Sequence, residues 1–227
     1  MMTVTVPVGP YESNVRWLDE TIESIRAQTY PVDEILVIDD QANLEEGSLG
    51  EDVTIWKTPW QAGVAHAFNY GVGLARNELV FMIGSDDTMK PNCIELCVKE
   101  YEKQNKKDGY YWVNIDFINE INDVRFPPGS IQRLPCNEAF VTKDFWRYTG
   151  GFPLEAALGA PDSMFMEIML QKLPNRLFEV AAGTPLVSYR IHSETETERS
   201  RQLGRFAMVD LMKPVVVSRW SPKGSIR

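Results

Sequence analysis

The chain has 227 residues, of which 44% are hydrophobic and 24% charged, and it carries a net charge of −9 at neutral pH. This length and composition can bury one large core, which excludes a disordered or fibrous protein. The acidic balance argues against a general nucleic-acid binder, because such binding relies on basic groups that replace counterions.

The N-terminal part of the chain predicts a strand, a helix and a second strand. Thr3 to Val8 is rich in β-branched residues and runs into Gly9-Pro10, which predicts a strand that enters a loop. Ser13 is placed to cap a helix whose apolar residues fall on one face, at positions 15, 18, 22 and 25. Residues 35–38 form a continuous apolar run, as expected for a strand covered on both faces of a sheet. Together these segments predict a βαβ unit.

The alternation of strands and helices continues through the first half of the chain. Strands are expected at 53–56 and 79–83, and helices at 64–76 and after Pro91. From Tyr110 onward the pattern is mixed and rich in loops, with later strands expected at 176–182 and 186–191. We therefore predict an α/β fold with a Rossmann-like, mostly parallel central sheet and a mixed second half.

The C-terminal segment 199–227 is basic, whereas the remainder of the chain is acidic. It contains seven basic residues and one acid, so its charge is +6 and the other residues sum to −15. The basic residues are Arg199, Arg201, Arg205, Lys213, Arg219, Lys223 and Arg227, and the acid is Asp210. Such a segment is either a solvated tail or a contact for an anionic ligand, lipid or acceptor.

The sequence shows no apolar run long enough for a transmembrane segment and no signal-peptide pattern at its N-terminus. Three cysteines, at positions 93, 97 and 136, form no zinc-binding pattern and are interpreted as buried thiols in a reducing compartment. We therefore expect a soluble, cytoplasmic protein that can lie at the periphery of a membrane.

Two acidic pairs follow predicted strands: Asp39-Asp40 and Asp86-Asp87. In an open parallel sheet, ligands bind outside the carboxyl ends of the strands, where loops diverge. Adjacent carboxylates at such a place need solvent, hydrogen bonds or a metal ion. Each pair is therefore either an ordinary Asp-rich turn or part of a binding site.

Five segments share the order and approximate spacing of a known family. They are TVTVPVGPYESN, EILVIDD, GVAHAFNYGVGLARNELVFMIGSDDTMKP, TGGFP and YRIH, and they lie between residue 3 and about residue 192. In these segments the chain resembles the family 2 glycosyltransferases. The resemblance implies an A-type glycosyltransferase fold in one domain, residues 1–198, with a nucleotide-sugar-binding half at 1–109 and an acceptor-binding half at 110–198. It also implies inverting transfer of a sugar, expected to be a hexose, from a nucleotide-diphosphate donor.

The resemblance assigns a set of residues to the donor. Pro7, Val8, Glu12 and Asp39 correspond to family positions that meet the nucleoside, and Asn69, Asp86 and Arg190 to further nucleotide-sugar contacts. Arg190 has an alternative role, because an arginine pairs with an acid as readily as with a phosphate.

The resemblance also implies a divalent metal ion, Mn²⁺ or Mg²⁺, held by Asp86, Asp87 and His192. Hard carboxylate oxygens suit both ions, and the ion would neutralise the departing diphosphate. Gly84 stands where the family signature has its first aspartate. The signature therefore leaves open which of Asp86 and Asp87 binds the metal directly. A lone histidine such as His192 is also often purely structural.

Asp162 follows the Gly150-Gly151-Phe152 segment and corresponds to the family's catalytic base. An inverting transfer needs a carboxylate that removes the acceptor's proton. The alternative role is helix capping, because Pro161-Asp162 also makes a good helix start. Pro161 replaces the glutamate that usually precedes the base in relatives.

Two other functions stay open at this point. The missing acid and Pro161 are compatible with a catalytically silent module that binds sugar nucleotides. A sugar nucleotidyltransferase is disfavoured, because GPYESN supplies neither a glycine cluster nor a basic residue. The acceptor is open as well and can be a glycan, lipid carrier, protein, small molecule or modified nucleic acid.

Overall fold

The computed structural model describes residues 1–127, 129–132, 137–154 and 160–226. Its strands are β1 (Met2–Val8), β2 (Glu34–Asp39), β3 (Val53–Lys57), β4 (Leu79–Met82), β5 (Thr88–Met89), β6 (Tyr110–Asn119), β7 (Ala139–Thr142) and β8 (Leu177–Ile191). Its helices are α1 (Glu12–Val15), α2 (Leu18–Arg26), α3 (Val64–Leu74), α4 (Cys93–Lys103), α5 (Lys143–Thr149), α6 (Pro161–Lys172), α7 (Glu196–Gln202) and α8 (Arg205–Arg219).

The described strands form one sheet in the order β3-β2-β1-β4-β7-β6-β8-β5. The first four neighbours are parallel, which places the carboxyl ends of β1, β2 and β4 at one edge. β7 runs antiparallel to both β4 and β6, and β8 is parallel to β6. The predicted α/β fold, with a parallel first half and a mixed second half, is confirmed.

The sheet is covered by helices on both faces. Alternate residues of β1, including Val4 and Val6, face a core that contains the apolar residues of α2 and α4. The opposite core contains aromatic residues of α3, α5 and α6, such as Phe68, Trp146 and Phe165. This three-layer packing explains the continuous apolar run of β2, whose six residues are all buried.

Two local predictions were wrong. The two strands expected at 176–182 and 186–191 are one strand, β8, whose pairing with β6 jumps from Val113↔Val180 to Asn114↔Pro185. The extra residues form a bulge, with positive φ angles at Ala181 and Gly183. The expected helix after β1 is divided into α1 and α2, and Ser13 caps neither of them.

The C-terminal helices pack against the rest of the chain. Met164 of α6 forms an apolar cluster with Val209, Met212 and Val216 of α8. α7 begins at Glu196 and therefore crosses the expected boundary between residues 198 and 199. Within the described ranges, no helix is long and apolar enough to cross a membrane. Cys93 and Cys97 are buried free thiols, and Cys136 lies outside the described residues.

Candidate functional site

A cavity of about 340 Å³ opens at the carboxyl ends of β1 and β4. Its wall includes Pro7, Asp86, Asp162 and His192, which come from four separate parts of the chain. The parallel half of the sheet delivers the first two, α6 delivers Asp162, and the end of β8 delivers His192. The fold thus brings together residues that the sequence assigned to donor, metal and base.

Asp86 and His192 form a direct pair on this wall. Oδ2 of Asp86 lies 3.0 Å from Nε2 of His192, and Nδ1 of His192 accepts a hydrogen bond from the Glu194 N–H at 3.3 Å. This network assigns the imidazole proton to Nε2, which donates it to Asp86. The indole of Trp17 packs against the imidazole with ring centroids 4.6 Å apart. His192 is therefore oriented by three neighbours.

Asp87 also lines the cavity, but its side chain is only 1% exposed. Its Oδ1 accepts a hydrogen bond from the backbone N–H of Arg190 at 2.8 Å. Burial raises the pKa of Asp87 well above its ordinary value, and the nearby charges of Asp86 and Glu138 act in the same direction. The side chains of Asp87 and Glu138 are hydrogen-bonded to each other, so this pair retains a proton more readily than exposed acids do.

Arg190 ties four parts of the chain together. Its Nε donates to the Asp86 carbonyl oxygen at 2.9 Å, and its Nη1 and Nη2 bind Glu120 and Glu20 at 2.5 and 2.7 Å. The guanidinium lies 4.9 Å from the centre of the Trp17 ring. The structure therefore shows the pairing with acids that was the alternative to phosphate binding, and donor contact by Arg190 stays a prediction.

The oxygen ligands at Asp86 suit a hard divalent cation whose other ligands are substrate phosphates and water. Asp86 offers a partly exposed carboxylate, and Mg²⁺ commonly binds one or two carboxylates together with substrate phosphates and water. His192 can bind the cation through Nε2 only if the ring proton is on Nδ1 instead. Nδ1 could then no longer accept the hydrogen bond from the Glu194 N–H. Among the described residues, no three His, Cys, Asp or Glu side chains could together hold a metal ion.

Asp162 occupies the second position of α6 and is half-buried. Burial raises the pKa of its carboxyl group above the ordinary value, and the backbone N–H of Ser163 and the charge of Lys213 partly oppose this shift. No side chain caps the first turn of α6 from the N-cap residue, Ala160. Asp162 thus lies both at the start of α6 and in the cavity wall. This position is compatible with a helix-capping role and with a catalytic role.

The acids at the end of β2 are occupied by the protein itself. Asp39 accepts backbone N–H bonds from Ala42, Asn43 and Leu44 at 2.6 to 3.1 Å and is almost fully buried. Asp40 accepts from Thr58, Ala62 and Gly63, which fixes the loop that enters α3. These bonds explain why two adjacent carboxylates are tolerated there. A nucleoside contact by Asp39 stays a prediction.

The other predicted donor residues take different positions. Pro7 lines the cavity, Val8 is buried in the core beneath it, and Glu12 is exposed in the first turn of α1. Asn69 faces the Gly150-Gly151-Phe152 turn, where its amide accepts from the N–H of Phe152 at 2.9 Å and donates to the carbonyl of Phe152 at 3.0 Å. The geometry thus shows Asn69 holding this turn, and a direct donor contact by Asn69 stays a prediction.

Comparison with known proteins identifies the family. A family model described as glycosyl transferase family 2 matches residues 11–153, which is more than half of the chain. The chain belongs to glycosyl transferase family 2.

Two curated proteins show the range of this family. Glycosyltransferase GlyG of Streptococcus pneumoniae is 30% identical over 115 residues, which cover 48% of this chain and 36% of that protein. Glucosyl-dolichyl phosphate glucuronosyltransferase of Haloferax volcanii is 30% identical over 109 residues, covering 45% of this chain and 33% of that protein. The alignments thus span about a third of each relative.

Solved structures agree with the A-type glycosyltransferase fold. Residues 1–349 of S. aureus TarS, in complex with UDP, superpose with a TM-score of 0.67 at 15% identity, covering 97% of this chain and 66% of that one. The same protein in complex with UDP-GlcNAc gives a TM-score of 0.66 at 13% identity, covering 92% and 65%.

Sequence analysis of this family 2 chain missed Glu138 and Trp17. Glu138 precedes β7, and because β7 is antiparallel to β4, its start lies at the edge where β4 ends. A single acid directly before an apolar strand was the sequence signal that could have pointed to Glu138. Trp17 carries no such signal, because its contacts with Arg190 and His192 join positions far apart in the chain.

Proposed function

We propose that this chain transfers a hexose, with inversion, from a nucleotide-diphosphate sugar to an acceptor hydroxyl. One observation carries the proposal: a single cavity wall contains Asp86 and His192 from one side of the fold and Asp162 from another. Family membership supports the same reaction class. The aligned segments cover only about a third of each curated relative, so the relatives' own donors and acceptors are not assigned to this chain.

Asp86 is the proposed ligand of Mn²⁺ or Mg²⁺, with His192 beside it at 3.0 Å. When bound there, the cation would neutralise the charge that develops on the leaving diphosphate. The loop that follows Pro7 is the proposed nucleoside contact, because it borders the same cavity at the end of β1. The UDP and UDP-GlcNAc complexes of TarS make uridine nucleotides the first donors to test.

Asp162 is the proposed general base. As the acceptor oxygen bonds to the anomeric carbon, the Asp162 carboxylate takes the hydroxyl proton, and the bond from the sugar to the diphosphate breaks on the opposite face. A carboxyl group with a raised pKa holds that proton better than an exposed one. A lipid-linked sugar is the first acceptor to add in a later transfer assay, because one relative is named for glucosyl-dolichyl phosphate.

A binding and hydrolysis screen tests the proposal. UDP, UDP-GlcNAc and other nucleotide sugars are titrated by calorimetry with and without Mn²⁺, and donor hydrolysis is followed without acceptor. We expect metal-dependent binding and slow hydrolysis in the parent protein, with hydrolysis lost in Asp86→Asn. Absence of binding for every nucleotide sugar would contradict the proposal.

A silent sugar-nucleotide-binding module is the second candidate. It is favoured by the burial of Asp87, whose carboxyl group is engaged by the backbone N–H of Arg190 and by Glu138. A site with one free carboxylate holds a cation weakly. Tight donor binding without hydrolysis or transfer at any Mn²⁺ concentration would establish this second candidate.

A further inference from the structure

The outward face of α8 is apolar. Each helical residue turns by about 100°, which places six residues in one sector of the helix. They are Ala207, Met208, Leu211, Pro214, Val215 and Ser218, and all six are exposed. Leu211 is 79% exposed, and Met208 and Val215 are each 47% exposed. Surface helices normally turn charged residues outward, so the exposed face of α8 departs from that pattern.

The fold does not need this sector for its own packing. α8 is attached to α6 by residues of its other side, Val209, Met212 and Val216, which contact Met164. Leu203, in the turn before α8, adds a further side chain that is 65% exposed. A contiguous apolar patch of this kind on a protein surface indicates an interaction site.

Two exposed basic residues lie at the C-terminal end of the patch. Arg219 lies in the last turn of α8, and Arg219 and Lys223 are both exposed. The one acid of the segment, Asp210, is paired with Lys213 at 2.9 Å. An apolar helix face with basic residues at one end matches a lipid surface that carries anionic headgroups.

We propose that the outward face of α8 docks on an anionic lipid surface. The charge distribution orients the molecule, because the segment 199–227 carries +6 and the other residues sum to −15. Arg199, Arg201 and Arg205 pair with Glu196 and Glu198, so the basic charge that faces an anionic lipid is that of Arg219 and Lys223. A symmetric contact between two copies is less favourable, because it would bring two basic segments together. Arg201 and Phe206, at the start of this segment, also line the cavity.

Vesicle co-sedimentation tests the proposal with the complete chain. Two vesicle types are used: phosphatidylcholine alone, and equal parts of phosphatidylcholine and phosphatidylglycerol. The test variant is Leu211→Glu, which puts a charge in the centre of the apolar face. The matched control is Val124→Glu, which adds the same charge at a residue that is 91% exposed and lies outside α8.

We expect the parent and Val124→Glu to bind the mixed vesicles in a salt-sensitive manner and to bind phosphatidylcholine weakly. Leu211→Glu should lower the partition constant by at least about tenfold, because burial of a leucine is lost and a charge is added. The double variant Arg219→Gln/Lys223→Gln should weaken binding only to the mixed vesicles. Circular dichroism checks folding, and Leu211→Ser replaces Leu211→Glu if the latter is unfolded.

Three results would overturn the proposal. The first is a parent protein that binds neither vesicle type. The second is unchanged binding by the folded Leu211 variant. The third is a parent that ignores vesicles and self-associates in light scattering while the Leu211 variant is monomeric, which would make the face a contact between copies.

Discussion

At the residue scale, Asp86 and Asp87 are adjacent in sequence and differ in environment. Both line the cavity, but Asp86 is partly exposed beside His192, whereas Asp87 is buried against Glu138 and the backbone of Arg190. A carboxylate near solvent exchanges its water for a cation at small cost, but a buried carboxyl group would first have to ionise and break its hydrogen bonds. The physical chemistry therefore favours Asp86 as the metal ligand.

We expect Asp86→Asn to weaken Mn²⁺ binding in the presence of UDP by about 10–100-fold or more, on the scale of altered metal sites. Asp87→Asn should stay close to the parent, because an amide can still accept from the Arg190 N–H and donate to Glu138. Electron paramagnetic resonance of free Mn²⁺ measures both affinities. Equal losses in the two variants would assign the metal to both aspartates.

A pH dependence is expected from Asp162. A general base must be ionised, and burial raises the pKa of this carboxyl group above 3.8, so transfer should fall on the acid side with a midpoint above that value. Between the pKa of Asp162 in the unfolded state and its higher pKa in the folded state, the native state binds more protons than the unfolded state. The free energy of unfolding should therefore decrease as pH rises through the folded pKa.

The variant Asp162→Asn removes both effects. Transfer should fall by about 10²–10⁴-fold, while donor affinity is retained and the pH dependence of unfolding becomes flatter. Rates and urea unfolding are measured across the pH range for parent and variant. Parental transfer rates in the variant would leave Asp162 as a helix-start residue.

At the scale of elements, Arg190 joins the end of β8 to α2, to the turn after β6 and to the connection between β4 and β5. Its side chain is 4% exposed, whereas Glu20 and Glu120 remain about half-exposed. Water can solvate the two exposed carboxylates, but it cannot reach the buried, planar guanidinium. The guanidinium therefore depends on its three protein acceptors, and these three hydrogen bonds hold the elements together. A lysine has no such planar geometry.

We expect Arg190→Lys to lower the free energy of unfolding by about 1–3 kcal/mol, because buried hydrogen bonds are lost. The control Arg147→Lys alters an exposed pair with Asp144 and should change stability by no more than about 0.5 kcal/mol. Urea unfolding and UDP titration are carried out on both. A selective loss of UDP affinity at unchanged stability would instead support phosphate binding by Arg190.

At the scale of the whole molecule, Arg199 of α7 joins the basic segment to α1 and to the loop between β1 and α1. Arg199 Nη2 donates to Ser13 Oγ at 2.7 Å, and the guanidinium lies 3.8 Å from the centre of the Tyr11 ring. Several α7 residues also line the cavity. The C-terminal segment is therefore placed to respond to a ligand bound in the first half.

We expect hydrogen exchange in 196–202 to slow when UDP and Mn²⁺ bind, because the anion adds hydrogen bonds to the basic segment. Arg199→Ala should speed exchange in α7 and reduce this protection. The control Arg219→Ala changes a basic residue at the far end of α8 and should retain it. Identical exchange with and without ligand would show that α7 does not respond.

Much of the fold could be predicted from the sequence, because its signals are local. The apolar run at 35–38 and the apolar periodicity after Pro91 were enough to place β2 and α4 in a layered α/β fold. The five motifs were enough for the family. Acidic pairs after buried strands also located the binding edge of the sheet, since chain direction alone puts the ends of parallel strands together.

The environment of each site residue was decided only by the tertiary structure. Arg190 and Glu20 are separated by 170 residues, and Glu138 reaches Asp87 only because β7 runs antiparallel to β4. Sequence can identify a carboxylate at a strand end, but its exposure and partners determine whether it binds a cation, a proton or the backbone. Those contacts form only when distant elements pack, which is why Asp86 and Asp87 look alike in the sequence and differ in the folded protein.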